Sequence, residues 1–235
     1  MDFHSDIYEI VSTIKNIEKE YQMIKGLILT ESDLKCHIYL RLMQKMKYKY
    51  PSLTRDAGIY ANQIHSELSW YDDSGKLTIK PDITILESSG LSIVRGSGNR
   101  INLPSKQYEF KGRAIIFELK FIRDKRGITT KIFNQKIMPD YNKIQRLFNR
   151  LDMQGMFNQV FCFFVIFNKT NKVCKEFIEF INSNGFSDRH KILYGTGNID
   201  MENINNNYSE EPDVRILNRL GARISFSVAG SRKHT

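Results

Sequence analysis

Residues 159–167, reading QVFCFFVIF, are almost unbroken apolar sequence rich in β-branched and aromatic side chains. A strand of that composition has no polar face to turn toward water, so it must be covered on both sides. Two-sided cover calls for helices above and below a sheet, and helical patterns do lie around the run. Residues 3–25 read as a moderately amphipathic helix that Gly26 can end. A second helix begins at "TESDLKCHIYLRLMQKM", with Thr30 as N-cap and Asp33 at the capping-box position. Leu34, Ile38, Arg41 and Leu42 share one of its sides, and Pro51 closes the region. Farther on, Ile144, Leu147, Phe148 and Leu151 form the stripe of a packed helix over 139–151, with Pro139 in its first turn. A further helix is expected over 170–185.

Three more strands precede the apolar run. "QIHSELSWY" (63–71) and "LTIKPDITILE" (77–87) flank the turn-like "DDSGK", and "RAIIFELKFI" (113–122) makes the third. Between the second and third lies a Ser- and Gly-rich basic excursion, 88–112, long for a plain connection. The tail reads as a loop over 198–213 and a last strand at 222–230. The resulting order is helix, three strands, helix, strand, helix: an α/β sandwich with a mixed central sheet. At 235 residues the chain can bury a real core as a single domain. Its expected core spans about 30–167, with the N-terminal helix, the insertion at 88–112 and a C-terminal extension at 170–235 as additions.

Charge narrows the function. Lys and Arg number 35 against 26 Asp and Glu, a formal net charge of +9, which favours attraction to polyanions such as DNA, RNA or an anionic surface. No stretch is apolar and long enough to span a membrane, and the acidic, polar start is a poor export signal. Cys36, Cys162 and Cys174 have neither a disulfide nor a metal-binding spacing. A reducing, cytoplasmic setting is expected, with the cysteines as small apolar residues.

The chemistry is concentrated in two strands. The period of a strand places Lys80, Asp82 and Thr84 on one face of the second, with Ile79, Ile83 and Ile85 on the other. In the third, Glu118 and Lys120 share a face with Ile116. If the strands are neighbours, Asp82 and Glu118 approach closely enough to repel, and a bound divalent cation removes that cost. Oxygen ligands without His or Cys point to Mg²⁺, with Mn²⁺ as a substitute. Lys120 would hold an attacking water or stabilise charge on a pentacovalent phosphorus.

With those residues in place, "PDITIL…FELK" resembles the PD-(D/E)xK nuclease superfamily, whose members share the restriction-endonuclease-like fold. Pro81 and Asp82 match the PD element, and Glu118, Leu119 and Lys120 match (D/E)xK. Glu31 resembles the auxiliary acidic residue that many members carry near the metal, although its place in a helix's first turn already suits its charge. "PDYNKIQRLF" resembles the helix after the motif, where Lys143 or Arg146 would approach phosphate.

The resemblance implies an αβββαβ core and Mg²⁺-dependent cleavage of double-stranded DNA in the manner of a type II restriction enzyme. Cutting both strands calls for a homodimer, and no nucleotide cofactor is expected. Arg95, Arg100, Lys106, Lys111 and Arg113 in and beside the excursion, with Arg123, Lys125 and Arg126 after the third strand, are the further DNA-contact candidates. His65 and Glu67 would border the site, Glu67 as an extra ligand. Two other functions remain open: a repair, junction-cutting or partner-activated defence nuclease, and a non-catalytic nucleic-acid-binding protein on a degenerate nuclease fold.

Overall fold

The structure, a computed structural model, describes residues 3–71, 77–93, 108–153 and 159–198. All of these belong to one unit, Met1–Met201. Arg95, Arg100, Lys106 and the strand expected at 222–230 lie outside the described residues, as does nearly all of the loop at 198–213.

The apolar run becomes the heart of a five-stranded sheet. Its strands are β1 (Ile64–Ser66), β2 (Ile83–Leu86), β3 (Ala114–Ile122), β4 (Val160–Asn168) and β5 (His190–Thr196), in spatial order β5-β4-β3-β2-β1. β3, β4 and β5 run parallel, while β2 is antiparallel to both β3 and β1, so the sheet is mixed. Every residue of β4 is buried, as a strand apolar in all but Asn168 demands.

Two helical layers supply the cover. On one face, α1 (Phe3–Met23) and α2 (Glu31–Met43) bring Ile10, Ile17, Leu34 and Ile38 against Ile83, Phe117, Leu119 and Phe163. On the other, α3 (Met138–Met153) and α4 (Lys175–Asn184) bring Ile144, Phe148 and Phe177 against Ile116, Phe164 and Ile166. The alternation of β3 therefore sends Ile115, Phe117, Leu119 and Phe121 to the first face. Ala114, Ile116 and Ile122 go to the second, with Glu118 and Lys120 between them in sequence. The α2 cap forms as its sequence requires: Thr30 accepts from Asp33 N, and the Asp33 carboxylate accepts from Thr30 N.

Four expectations need correction. The strand read over 63–71 is broken: β1 ends at Ser66, Glu67 takes a left-handed φ of 55°, and Trp70–Tyr71 pairs with Leu77–Ile79 in a separate small sheet. The second strand breaks too, because Pro81 lacks the N–H a continuous ladder needs. Ile79 consequently packs in the cluster opposite the one holding Ile83 and Ile85. Pro139 does lie in the first turn of α3, as expected, but more helix precedes it. Helical structure starts at Thr130 and passes through a π turn, Phe133–Ile137, where Met138 N donates to Phe133 O. That wider turn leaves a carbonyl unclaimed beside the proline, suiting its missing N–H. Finally, β5 falls where no strand was expected, and Cys36 is exposed rather than packed.

The turn joining β3 to this helical segment depends on Gly127. Its φ is +69°, and a Cβ there would lie 2.0 Å from the Lys172 carbonyl oxygen. The close approach lets Ile128 N donate to Lys172 O at 3.0 Å and Cys174 N to Ile128 O at 2.8 Å. Gly127→Ala is expected to cost roughly 3 kcal/mol, from combined backbone strain and overlap. A denaturant titration against the unaltered chain measures it.

Candidate active site

The site forms where β2 leaves β3. Their ladder runs from Leu86↔Ala114 to Ile83↔Phe117, and one further step sets Asp82 opposite Glu118. There the regular pattern stops, with Asp82 N donating to Phe117 O at 2.9 Å. Beyond it, among the described residues, the β3 amides that would meet β2 have no strand to pair with, and carboxylates take them. Asp82 Oδ2 accepts from Leu119 N at 2.8 Å, and Glu31 Oε2 accepts from Phe121 N at 3.0 Å. Two acidic side chains from two elements thus cap one strand edge, each through a charge-assisted bond worth about 1.5–3 kcal/mol.

This edge turns Glu118 and Lys120 toward α3. Lys120 Nζ lies 2.7 Å from Asp140 Oδ2 and 3.6 Å from Glu31 Oε2. Asp140 also pairs with Lys143 through its other oxygen, so one carboxylate bridges two ammonium groups. Burial pulls the Lys120 pKa down, but the Asp140 bond and the surrounding carboxylates outweigh it and leave the group above its ordinary value. Burial acts on Asp140 in the opposite sense, and its two lysines prevail to hold it below the usual carboxylate range.

Glu118 has no such compensation. Among the described residues its carboxyl makes neither a hydrogen bond nor an ion pair. Burial, followed by the charges of Asp82 and Asp140, pushes its pKa to about 8. Burial also raises Asp82, and the charge on Glu31 adds to it. A half-buried acid kept protonated at neutral pH by desolvation, with two neighbouring carboxylates adding to it, marks a place short of positive charge. Among the described residues no group of three or more His, Cys, Asp or Glu forms a ready ligand cluster. Mg²⁺ does not require one: it is commonly held by one or two carboxylates and keeps water or substrate oxygens elsewhere. Asp82 and Glu118 fit that donor chemistry, and their mutual repulsion is what a cation would relieve.

Asp82, Glu118, Lys120 and Glu31 are therefore brought together. Of the basic candidates, Lys143 joins them through Asp140. Arg146 is exposed on α3, and Arg123 and Lys125 are exposed just past the Lys120 end of β3. Arg126 folds back on Asp124, its Nε and Nη2 donating at 3.1 and 2.9 Å. Lys111 and Arg113 are not beside the site. They sit at the other end of β3, where Arg113 N donates to Glu87 Oε2, and five residues of strand put Arg113 roughly 17 Å from Glu118.

Glu67 directs its two oxygens to Lys35 and Lys80 in this arrangement rather than to Asp82 and Glu118. His65 lies opposite Thr84 with its Nε2 2.8 Å from Asn62 O, and burial lowers its pKa. Sequence reading missed Asp140; the only signal was a second Pro-Asp pair, "MPDYNK". Compared with protein families, curated proteins and solved structures, the chain finds no match.

Proposed function

We propose that this chain is a Mg²⁺-dependent endonuclease that hydrolyses phosphodiester bonds in double-stranded DNA, built on a restriction-endonuclease-like core and acting as a homodimer. The observation that carries the reading is Asp82 set opposite Glu118 on adjacent strands, with Lys120 two residues on and on the same face. The element order α2, β1, β2, β3, α3, β4 agrees with that core, and the net charge of +9 suits a polyanionic substrate.

Asp82 and Glu118 would hold the metal through their carboxylate oxygens, Glu118 in its ionised form. When bound, the ion would supply Lewis acidity at a phosphoryl oxygen and a more acidic water. Lys120, fixed by Asp140 and Glu31, presents its ammonium to the attacking water and to the charge gathering on phosphorus. Glu31 keeps the strand edge and Lys120 in register. Water adds to phosphorus and one P–O ester bond breaks, leaving a phosphomonoester and a free hydroxyl.

The test is incubation of purified protein with unmethylated plasmid and phage DNA, with Mg²⁺ or with EDTA, beside Lys120→Ala. Discrete fragments that vanish in EDTA and fall at least about a thousandfold in the variant are the expected result. A metal-dependent smear or nicking would move the reading to a structure-selective or partner-activated nuclease. No cleavage of duplex, branched or RNA substrates by folded protein would overturn it.

A further inference from the structure

Three elements meet beside the site in a charge arrangement that the strand-edge chemistry does not use. Glu67 Oε1 lies 2.5 Å from Lys35 Nζ, and Glu67 Oε2 lies 2.6 Å from Lys80 Nζ. Lys35 stands one helical turn after Glu31 in α2, so the two share a face. Lys80 directly precedes Pro81 and Asp82, and Glu67 N donates to the Asp82 carbonyl at 3.0 Å. Each member is thus tied to a residue of the candidate site.

The geometry is that of a seat for a tetrahedral anion. One carboxylate gives one oxygen to each of two ammonium groups, as a phosphodiester would give its two non-bridging oxygens. Glu67 supplies that carboxylate. It reaches the two lysines from a left-handed backbone conformation that a glutamate rarely adopts, and such strain persists only where the surroundings enforce it. Glu67 and Lys80 are about half exposed, so this pairing is held weakly and one anion can replace another at small cost. With Glu67 displaced, two positive charges face one phosphate.

We propose that Lys35 and Lys80 form a backbone-phosphate subsite for duplex DNA next to the cleavage centre, and that Glu67 occupies it until DNA displaces it. This rests on the nuclease reading for the identity of the ligand. Glu67 is then an internal competitor, and its removal strengthens binding.

The test is fluorescence anisotropy with a labelled 20-base-pair duplex in EDTA, where nothing is cut, at several salt concentrations. Glu67→Gln is compared with Glu179→Gln, which removes the same charge from the exposed Lys175 pair on α4. Glu67→Gln is expected to bind about fivefold tighter than Glu179→Gln. Lys35→Gln/Lys80→Gln is expected to bind about tenfold more weakly than the unaltered chain, with a log–log salt slope smaller by about two. Thermal melting of each variant checks that it is folded, and the lysine pair tests the subsite even if Glu67→Gln is not. Equal affinities for the two glutamine variants would overturn the displacement, and an unchanged slope in the lysine variant would overturn the subsite. Absence of binding by the unaltered chain would overturn both. Lysine-dependent binding without metal-dependent cleavage would remove the nuclease reading and leave the subsite standing. Metal-dependent cleavage with unchanged binding in the lysine variant would do the reverse.

Discussion

Replacing Glu118 by glutamine is expected to raise the unfolding temperature at pH 9 in EDTA by about 10 °C and to abolish cleavage, both from the loss of one charge. Glu118 titrates near 4.5 in the unfolded chain and near 8 in the folded one. Below pH 4.5 both states carry the proton, so the carboxyl costs nothing. Between pH 4.5 and 8 the unfolded chain has released it while the folded chain retains it, and stability falls as pH rises. Above pH 8 the full penalty applies, roughly 3 kcal/mol once partial exposure is allowed for. At this chain length that energy corresponds to about 10 °C. Glutamine keeps the shape and removes the titration. The difference between variant and unaltered protein should be near zero at pH 4.5 and level off above pH 8. Added Mg²⁺ should stabilise the unaltered protein and leave the variant unmoved. Melting curves over pH 4.5–9.5, with and without metal, measure both; a variant less stable at pH 9 would sink the argument.

Asp140→Ala is expected to lower the cleavage rate about a hundredfold with little change in metal affinity, because it disables Lys120 without touching Asp82 or Glu118. Lys120 would keep Glu31 alone, at 3.6 Å, and the ammonium would no longer be aimed. The pH–rate profile carries a sign of its own. Burial depresses the Lys120 pKa, and Asp140 is the leading group that overcomes it. Without it the ammonium loses its proton at lower pH, so the alkaline limb of the profile moves down. Removing a charge that raises Glu118 moves the acidic limb down as well. Amine-labelling mass spectrometry gives a readout independent of turnover: Lys120 should be protected in the unaltered protein and reactive in the variant. An unchanged profile and unchanged labelling would make Asp140 a packing residue only.

What could be read in the chain was whatever depended on period and composition. β3 and β4 are long and strongly patterned, and the faces that period two assigns to Ile116, Glu118 and Lys120 are the faces they occupy. The α2 cap is a local motif and formed as such. What could not be read depended on departures from period. "QIHSELSWY" alternates well enough to pass as one strand, yet a single left-handed residue divides it and turns Glu67 from a strand neighbour of His65 into the partner of two lysines. Asp140 follows a π turn that inserts extra backbone before it, rotating the rest of the helix by roughly one residue relative to an unbroken α-helix, a departure that period 3.6 does not announce. β5 is about half apolar, contains Gly195 and is followed by Gly197, so it carried little of the β signal that marks β4. The basic excursion offered for DNA contact starts and ends at the far end of β3, a matter of strand direction that composition does not encode.

The burial of β4 also has a consequence for how the chain is made. Synthesis delivers Val160–Asn168 before the helix Lys175–Asn184 and the strand His190–Thr196 that cover and pair with it. Until His190 has emerged, eight apolar residues and Asn168 present an open row of amides and carbonyls with no charge among them. Slow translation over 170–196, or a chain cut there, leaves that edge free to join its counterpart on another copy. The strand that secures the finished core is thus the nascent chain's main route to aggregation, and a short dwell between residues 168 and 196 is what closes it.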